Sequence, residues 1–149
     1  DLADGFATDG SQFDRLLVDG ETLRAGALAS DVIATPGHTP GGASWSWRDC
    51  EGDRCIDLVF ADSLNPVSHD DFQFGDDPER IATFRSSIEK VRALPCDLLI
   101  SAHPSQSRLF ERQAKDALVD AGACQTYADE ASARLDQRLA TERTQAPID

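Results

Sequence analysis

The chain is 149 residues long, enough for one domain with a core of its own, and at 40% hydrophobic and 28% charged it reads as globular rather than disordered. Its formal charge of −13 repels nucleic-acid phosphate and anionic lipid, so neither nucleic acid nor membrane is expected as a partner. No stretch approaches the roughly 20 apolar residues needed to span a bilayer, and with no methionine the chain is expected to be processed or partial.

Taken in order, residues 1–12 are rich in Gly, Asp and Ser and read as loop. Residues 13–18 and 21–24 flank Asp19-Gly20 and read as a β-hairpin, since Asp-Gly favours the type I′ turn. Residues 28–35 form a strand leading into Pro36-Gly37-His38. In residues 43–47 small side chains alternate with Trp45 and Trp47, the pattern of a half-buried strand whose tryptophans pack. Residues 56–61 form a strand ending at Asp62-Ser63, and residues 64–75 have turn residues and no helical period.

A helix follows. Asp77 is a suitable N-cap with Pro78 at the first helical position, and Ile81, Phe84, Ile88 and Val91 recur at spacings of three and four until Leu94-Pro95. Residues 97–101 make a short buried strand with His103 just beyond it. Residues 107–119 read as a shorter helix with Leu109, Phe110, Ala114, Ala117 and Leu118 inward. Cys124, Tyr127, Ala131, Leu135 and Leu139 line a final amphipathic helix. The folded core is expected over 13–141, with 142–149 a frayed tail, and the class is α/β (α+β layered).

The four cysteines admit three pairings, and spacing alone does not choose among them. Cys50 and Cys55 bracket a Gly/Asp turn, a good place for a hairpin-tip disulfide, and a bridge between Cys96 and Cys124 would tie the last helix to the sheet. A four-cysteine zinc site is the rival, but the spacings lack paired C-x-x-C knuckles. Disulfides are the favoured reading and imply an oxidising compartment, periplasmic or outside the cell.

Three strands end beside polar groups: His38, Asp62-Ser63 and His103. In sheets with helical layers, sites gather beyond the carboxyl ends of strands, so these residues are expected to share one. Imidazole and carboxylate are zinc donors, and a catalytic zinc takes three protein ligands plus an open position. His69, in a polar loop, reads as a surface residue.

The segment Thr35-Pro36-Gly37-His38-Thr39-Pro40-Gly41 resembles the TPGHTPG turn of the metallo-β-lactamase superfamily. The runs Ala43-Ser44-Trp45-Ser46-Trp47, Phe60-Ala61-Asp62-Ser63-Leu64 and Ser101-Ala102-His103-Pro104-Ser105 are similar to its third β-lactamase subclass. The likeness runs over residues 13–127 and covers the second, C-terminal half of the family's αβ/βα sandwich. It implies a hydrolase that opens the β-lactam amide of penicillins, cephalosporins and carbapenems with a zinc-bound water as nucleophile.

The resemblance also implies two zinc ions, each sharing ligands from outside this chain. His38 would join two histidines at the first, and His103 an Asp-His pair at the second. Those partners belong to an H-x-H-x-D-H motif lying well upstream in the family. No such motif occurs here, and 37 residues precede His38. Ser63 would be the pocket serine that helps bind substrate carboxylate, and Asn65 stands where the subclass commonly has Ser or Thr. Asp62 has two readings: a support for the loop, or a bridging metal ligand as in lactone and thioester hydrolases of the superfamily. A non-catalytic fragment retaining only this half of the fold is the remaining alternative. The partners implied are a β-lactam substrate and the missing N-terminal half.

Overall fold

A computed structural model describes residues 16–69 and 72–145. Its centre is a five-stranded sheet in the order β1 (Thr22–Ala25), β2 (Leu28–Ala34), β3 (Ala43–Glu51), β4 (Arg54–Ala61), β5 (Leu98–Ser101). Neighbours are antiparallel except β4 and β5, which are parallel. β2, β4 and β5 therefore run in one direction and bring their carboxyl ends to one edge. A parallel pair requires a crossover, and here it carries a short 3₁₀ turn (Phe74–Asp76) and helix α1 (Pro78–Arg92). After β5 come α2 (Leu109–Ala114) and the long α3 (Ala123–Gln145).

Helix α1 starts as its sequence dictates. The Asp77 side chain accepts from the Arg80 amide at 2.9 Å, with Pro78 in the first turn. Its Phe84, Ile88 and Val91 meet Tyr127, Ala128, Ala131 and Leu135 of α3 over Val59, Ala61 and Leu99 of the sheet, and these residues form the buried core. Side chains alternate across a strand, so Trp45, Trp47, Leu58 and Phe60 lie on the opposite face. There Trp45 pairs with Phe60 and Trp47 with Leu58, all of them only half buried.

Both favoured disulfides are present. Cys50 and Cys55 sit directly opposite one another on β3 and β4, 4.0 Å apart at Cα, closing the turn at Gly52. Cys96 and Cys124 join the approach to β5 to the first turn of α3.

Three expectations need correction. The first hairpin turns at Gly26-Ala27, where Ala25 pairs with Leu28 and Gly26 takes φ +63°, rather than at Asp19-Gly20. Asp19-Gly20 does turn the chain, with Glu21 N bonded to Val18 O, but Leu16 and Val18 before it are exposed and not in a strand. Residues 13–15 of that expected strand, and the loop assigned to 1–12, lie outside the described residues.

The helix expected over 107–119 is one and a half turns long. Asp116, at φ +53°, ends it, and Phe110 is exposed rather than inward. The final helix does not fray at 141. It continues to Gln145 because Glu142 is buried, accepting from the Phe74 and Gly75 amides at 3.0 and 2.8 Å and from Arg138 Nε at 2.5 Å. The remainder of the expected tail, 146–149, is not among the described residues. No helix among those residues is long and apolar enough to cross a membrane.

Candidate metal centre

The edge shared by β2, β4 and β5 brings His38 and His103 together, their ring centroids 6.2 Å apart and their planes nearly perpendicular. The turn that carries His38 is tied back on itself. Gly37 N and Gly42 N both donate to Thr39 O, and Thr35 N donates to Gly42 O at 2.8 Å. Gly37 takes φ +143°, and a Cβ there would lie 2.6 Å from Phe84 Cδ2. Gly42 is required for a different reason: a Cβ would lie 2.6 Å from Thr35 O and 2.7 Å from Asp62 Oδ2.

His38 Nδ1 lies 2.9 Å from the Asn65 carbonyl. A carbonyl only accepts, so Nδ1 carries the proton, and in the neutral ring Nε2 keeps the lone pair. His103 is exposed, and its own carbonyl receives Ser101 Oγ at 2.8 Å and the Gln106 amide at 2.9 Å. Its placement comes from the end of β5, whose register against β4 sets Ser101 opposite Ala61.

The β4 end supplies Asp62, Ser63 and Asn65. Asp62 is fixed through its main chain: its amide donates to Ser44 Oγ at 3.0 Å, and its carbonyl receives the Tyr127 hydroxyl at 3.1 Å. Ser44 Oγ in turn lies 2.9 Å from Thr35 Oγ1, joining β2, β3 and β4 below the site. Burial pushes the Tyr127 phenol above its ordinary pKa, keeping it a neutral donor. Ser63 is 2% exposed, and its Oγ finds no hydrogen-bond partner among the described residues. An orphaned hydroxyl costs free energy unless something else meets it. His69 is exposed on the loop beyond Asn65.

Two imidazoles from separate strand ends, a lone pair on His38 Nε2 and an unpaired buried hydroxyl form a donor set suited to part of a metal centre. It is not a whole one. Among the described residues no group of three or more His, Cys, Asp or Glu side chains could hold an ion. The two imidazoles could supply only part of a metal ion's coordination.

Sequence reasoning missed the Asn65 main-chain carbonyl, which orients His38, and Arg80, which bonds the turn from α1. A main-chain acceptor leaves no mark in residue type. Arg80 had only its place one turn into a capped helix to distinguish it.

No family model matches the chain. Among solved structures it is similar to the metallo-β-lactamase SMB-1, at 46% identity and a TM-score of 0.79, over 86% of this chain and 52% of that one. MIM-1 from Novosphingobium pentaromativorans matches at 43% identity and a TM-score of 0.83, over 90% of this chain and 50% of that one. MEM-A1, a subclass B3 metallo-β-lactamase from a soil metagenome library, matches at 41% and 0.83, over 87% and 53%. The chain thus spans about half the length of these structures. Shorter stretches match curated proteins: 35 residues at 69% identity to a probable metallo-hydrolase of Burkholderia pseudomallei, 24% of this chain and 12% of that protein. A stretch of 40 residues matches glyoxylase B2 of Dictyostelium discoideum at 55%, 27% of this chain and 14% of that protein. With its mixed sheet and its helical layer on one face, the chain has the fold of about half of a metallo-β-lactamase sandwich and is similar in sequence to three such enzymes over most of its own length.

Proposed function

We propose that this chain is the C-terminal half of a zinc-dependent hydrolase that opens the β-lactam amide of penicillins, cephalosporins and carbapenems. The observation that carries the reading is the approach of His38 and His103, 6.2 Å apart, at strand ends shared with the buried, unpartnered Ser63 hydroxyl. Likeness to three metallo-β-lactamases at more than 40% identity supports it.

His38 would hold one zinc and His103 the other, and the remaining ligands would come from the other half of the fold, seated on the open Trp45–Phe60 face. When bound, the ions supply Lewis-acid polarisation of the amide carbonyl and a water acidic enough to attack at neutral pH. The chain's own residues do the rest. The Asn65 carbonyl fixes the His38 tautomer, so that the ring offers Nε2. Ser63 Oγ and the Asn65 side-chain amide donate to the substrate carboxylate. Asp62 supports the loop from below. The two disulfides fit a periplasmic or secreted protein.

A second reading, a lactone or thioester hydrolase with Asp62 bridging the metals, draws on the stretch shared with glyoxylase B2. One experiment separates the two. With both halves of the fold present, Ser63→Ala should retain zinc and raise KM for nitrocefin by about 10–100-fold, the worth of one hydrogen bond to a charged group. Asp62→Ala should also retain zinc. Loss of zinc in Asp62→Ala would favour the bridging reading, and absence of any zinc-dependent β-lactam hydrolysis would end the first.

A further inference from the structure

One face of α1 carries a row of side-chain donors aimed at the main chain that presents His38. Lys90 Nζ donates to Ala34 O at 2.9 Å, Ser87 Oγ to Pro36 O at 2.6 Å, Arg80 Nε to Gly37 O at 3.2 Å, and Arg80 Nη2 to His38 O at 3.5 Å. Residues 80, 84 and 87 are spaced by four and three, so Phe84 stands between the donors, where it meets Gly37. As the helix runs forward the carbonyls are met in reverse order, so helix and segment lie antiparallel.

The donors are themselves held. The Arg80 guanidinium stacks 4.7 Å from the Phe72 ring centroid and 5.3 Å from that of Phe74. Lys90 also pairs with Asp19 at 2.8 Å, and Ser87 is 1% exposed. A turn containing Gly37, Gly41 and Gly42 is too permissive to fix a side chain unaided. Carbonyls that leave a strand also need partners once buried.

We infer that Arg80, Ser87 and Lys90 are positioning residues: they fix the main chain from Ala34 to His38 so that the His38 ring is presented in one orientation. For its second readout only, the inference rests on the metal role proposed above for His38.

The first readout is amide hydrogen exchange in the purified protein at Gly37 and Gly42, whose N–H groups bond Thr39 O. Arg80→Met should speed exchange there about tenfold while leaving the β3–β4 ladder unchanged, Ser87→Ala should do so more weakly, and Arg80→Lys should restore part of the protection. The second readout, with both halves of the fold present, is zinc binding in competition with a chromophoric chelator. Arg80→Met should weaken, by about 10–100-fold, the binding step that His38→Ala weakens, and spare the step that His103→Ala weakens. Unchanged exchange at Gly37 and Gly42, or equal acceleration throughout the sheet, would overturn the inference, as would equal weakening of both zinc steps. If the wild-type protein binds no zinc even with both halves of the fold present, the hydrolase reading fails and the exchange data alone decide the positioning role.

Discussion

Replacing Glu142 by alanine tests whether the far end of α3 clamps the loop that follows the site. The carboxylate is 5% exposed and accepts from three donors: the Phe74 amide at 3.0 Å, the Gly75 amide at 2.8 Å and Arg138 Nε at 2.5 Å. Arg138 also donates to Ser68 Oγ and Phe72 O, so both ends of that loop depend on the pair. A hydrogen bond to a charged group is worth about 1.5–3 kcal/mol net. Gly75 is exposed and Arg138 half exposed, so water compensates those two in the mutant, whereas Phe74 is fully buried. The expected loss is about 3 kcal/mol, roughly 10 °C in Tm for a domain of this size, read by far-UV circular dichroism during thermal and urea unfolding.

The same group has a pH signature. Burial works to raise the Glu142 pKa, but the Arg138 guanidinium and the Gly75 and Phe74 amides outweigh it and hold the carboxyl below its ordinary value. A depressed carboxylate gives its full stabilisation above the unfolded pKa of about 4.3, and that stabilisation is lost as pH falls through the lower folded value. Glu142→Gln should therefore lose stability at neutral pH and flatten part of the acid limb below pH 4.3 or so. A Glu142→Ala change below 1 kcal/mol or so, or an unaltered acid limb in Glu142→Gln, would refute the clamp.

Two further expectations follow from the turn and the bridges. Gly37→Ala should cost about 2–3 kcal/mol, because φ +143° strains an L residue and the new Cβ meets Phe84, whereas Gly41→Ala, with open space around it, should stay within about 0.5 kcal/mol. Equal effects by chemical denaturation would mean that the turn is not packed as described. Replacing Cys96 and Cys124 together should cost about 3.5 kcal/mol and replacing Cys50 and Cys55 about 2 kcal/mol, from the 28- and 5-residue separations they close. The reverse order in melting experiments would count against loop closure as the source.

The parts of the fold that could be read from sequence are those where a local signal and a burial pattern agree. Asp77-Pro78 starts α1, and the apolar runs into His38, Asp62 and His103 are the strands β2, β4 and β5. The first hairpin escaped because two glycines compete: Gly20 and Gly26 both take positive φ, and only the pairing of Thr22 with Asp31 decides which joins strands. α2 escaped because its apolar residues suggest a helical face, yet the Arg112 guanidinium is spent on the Leu99 and Leu118 carbonyls and Phe110 turns outward. At the site, the histidines announce themselves by residue type. What orients His38 is a carbonyl of Asn65 and donors 42 to 56 residues along the chain from their acceptors, which no local pattern reveals.

The half-covered side of the sheet equips the protein with its own optical reporter. Both tryptophans of the sequence, Trp45 and Trp47, stand on that side of β3, and neither belongs to the helix-covered core. Emission should therefore shift to shorter wavelength when that surface leaves water, while changes beneath α1 and α3 remain nearly silent. Covering of that face by the other half of the fold proposed above would then be followed in real time with no label, independently of the proposed zinc uptake at the strand ends.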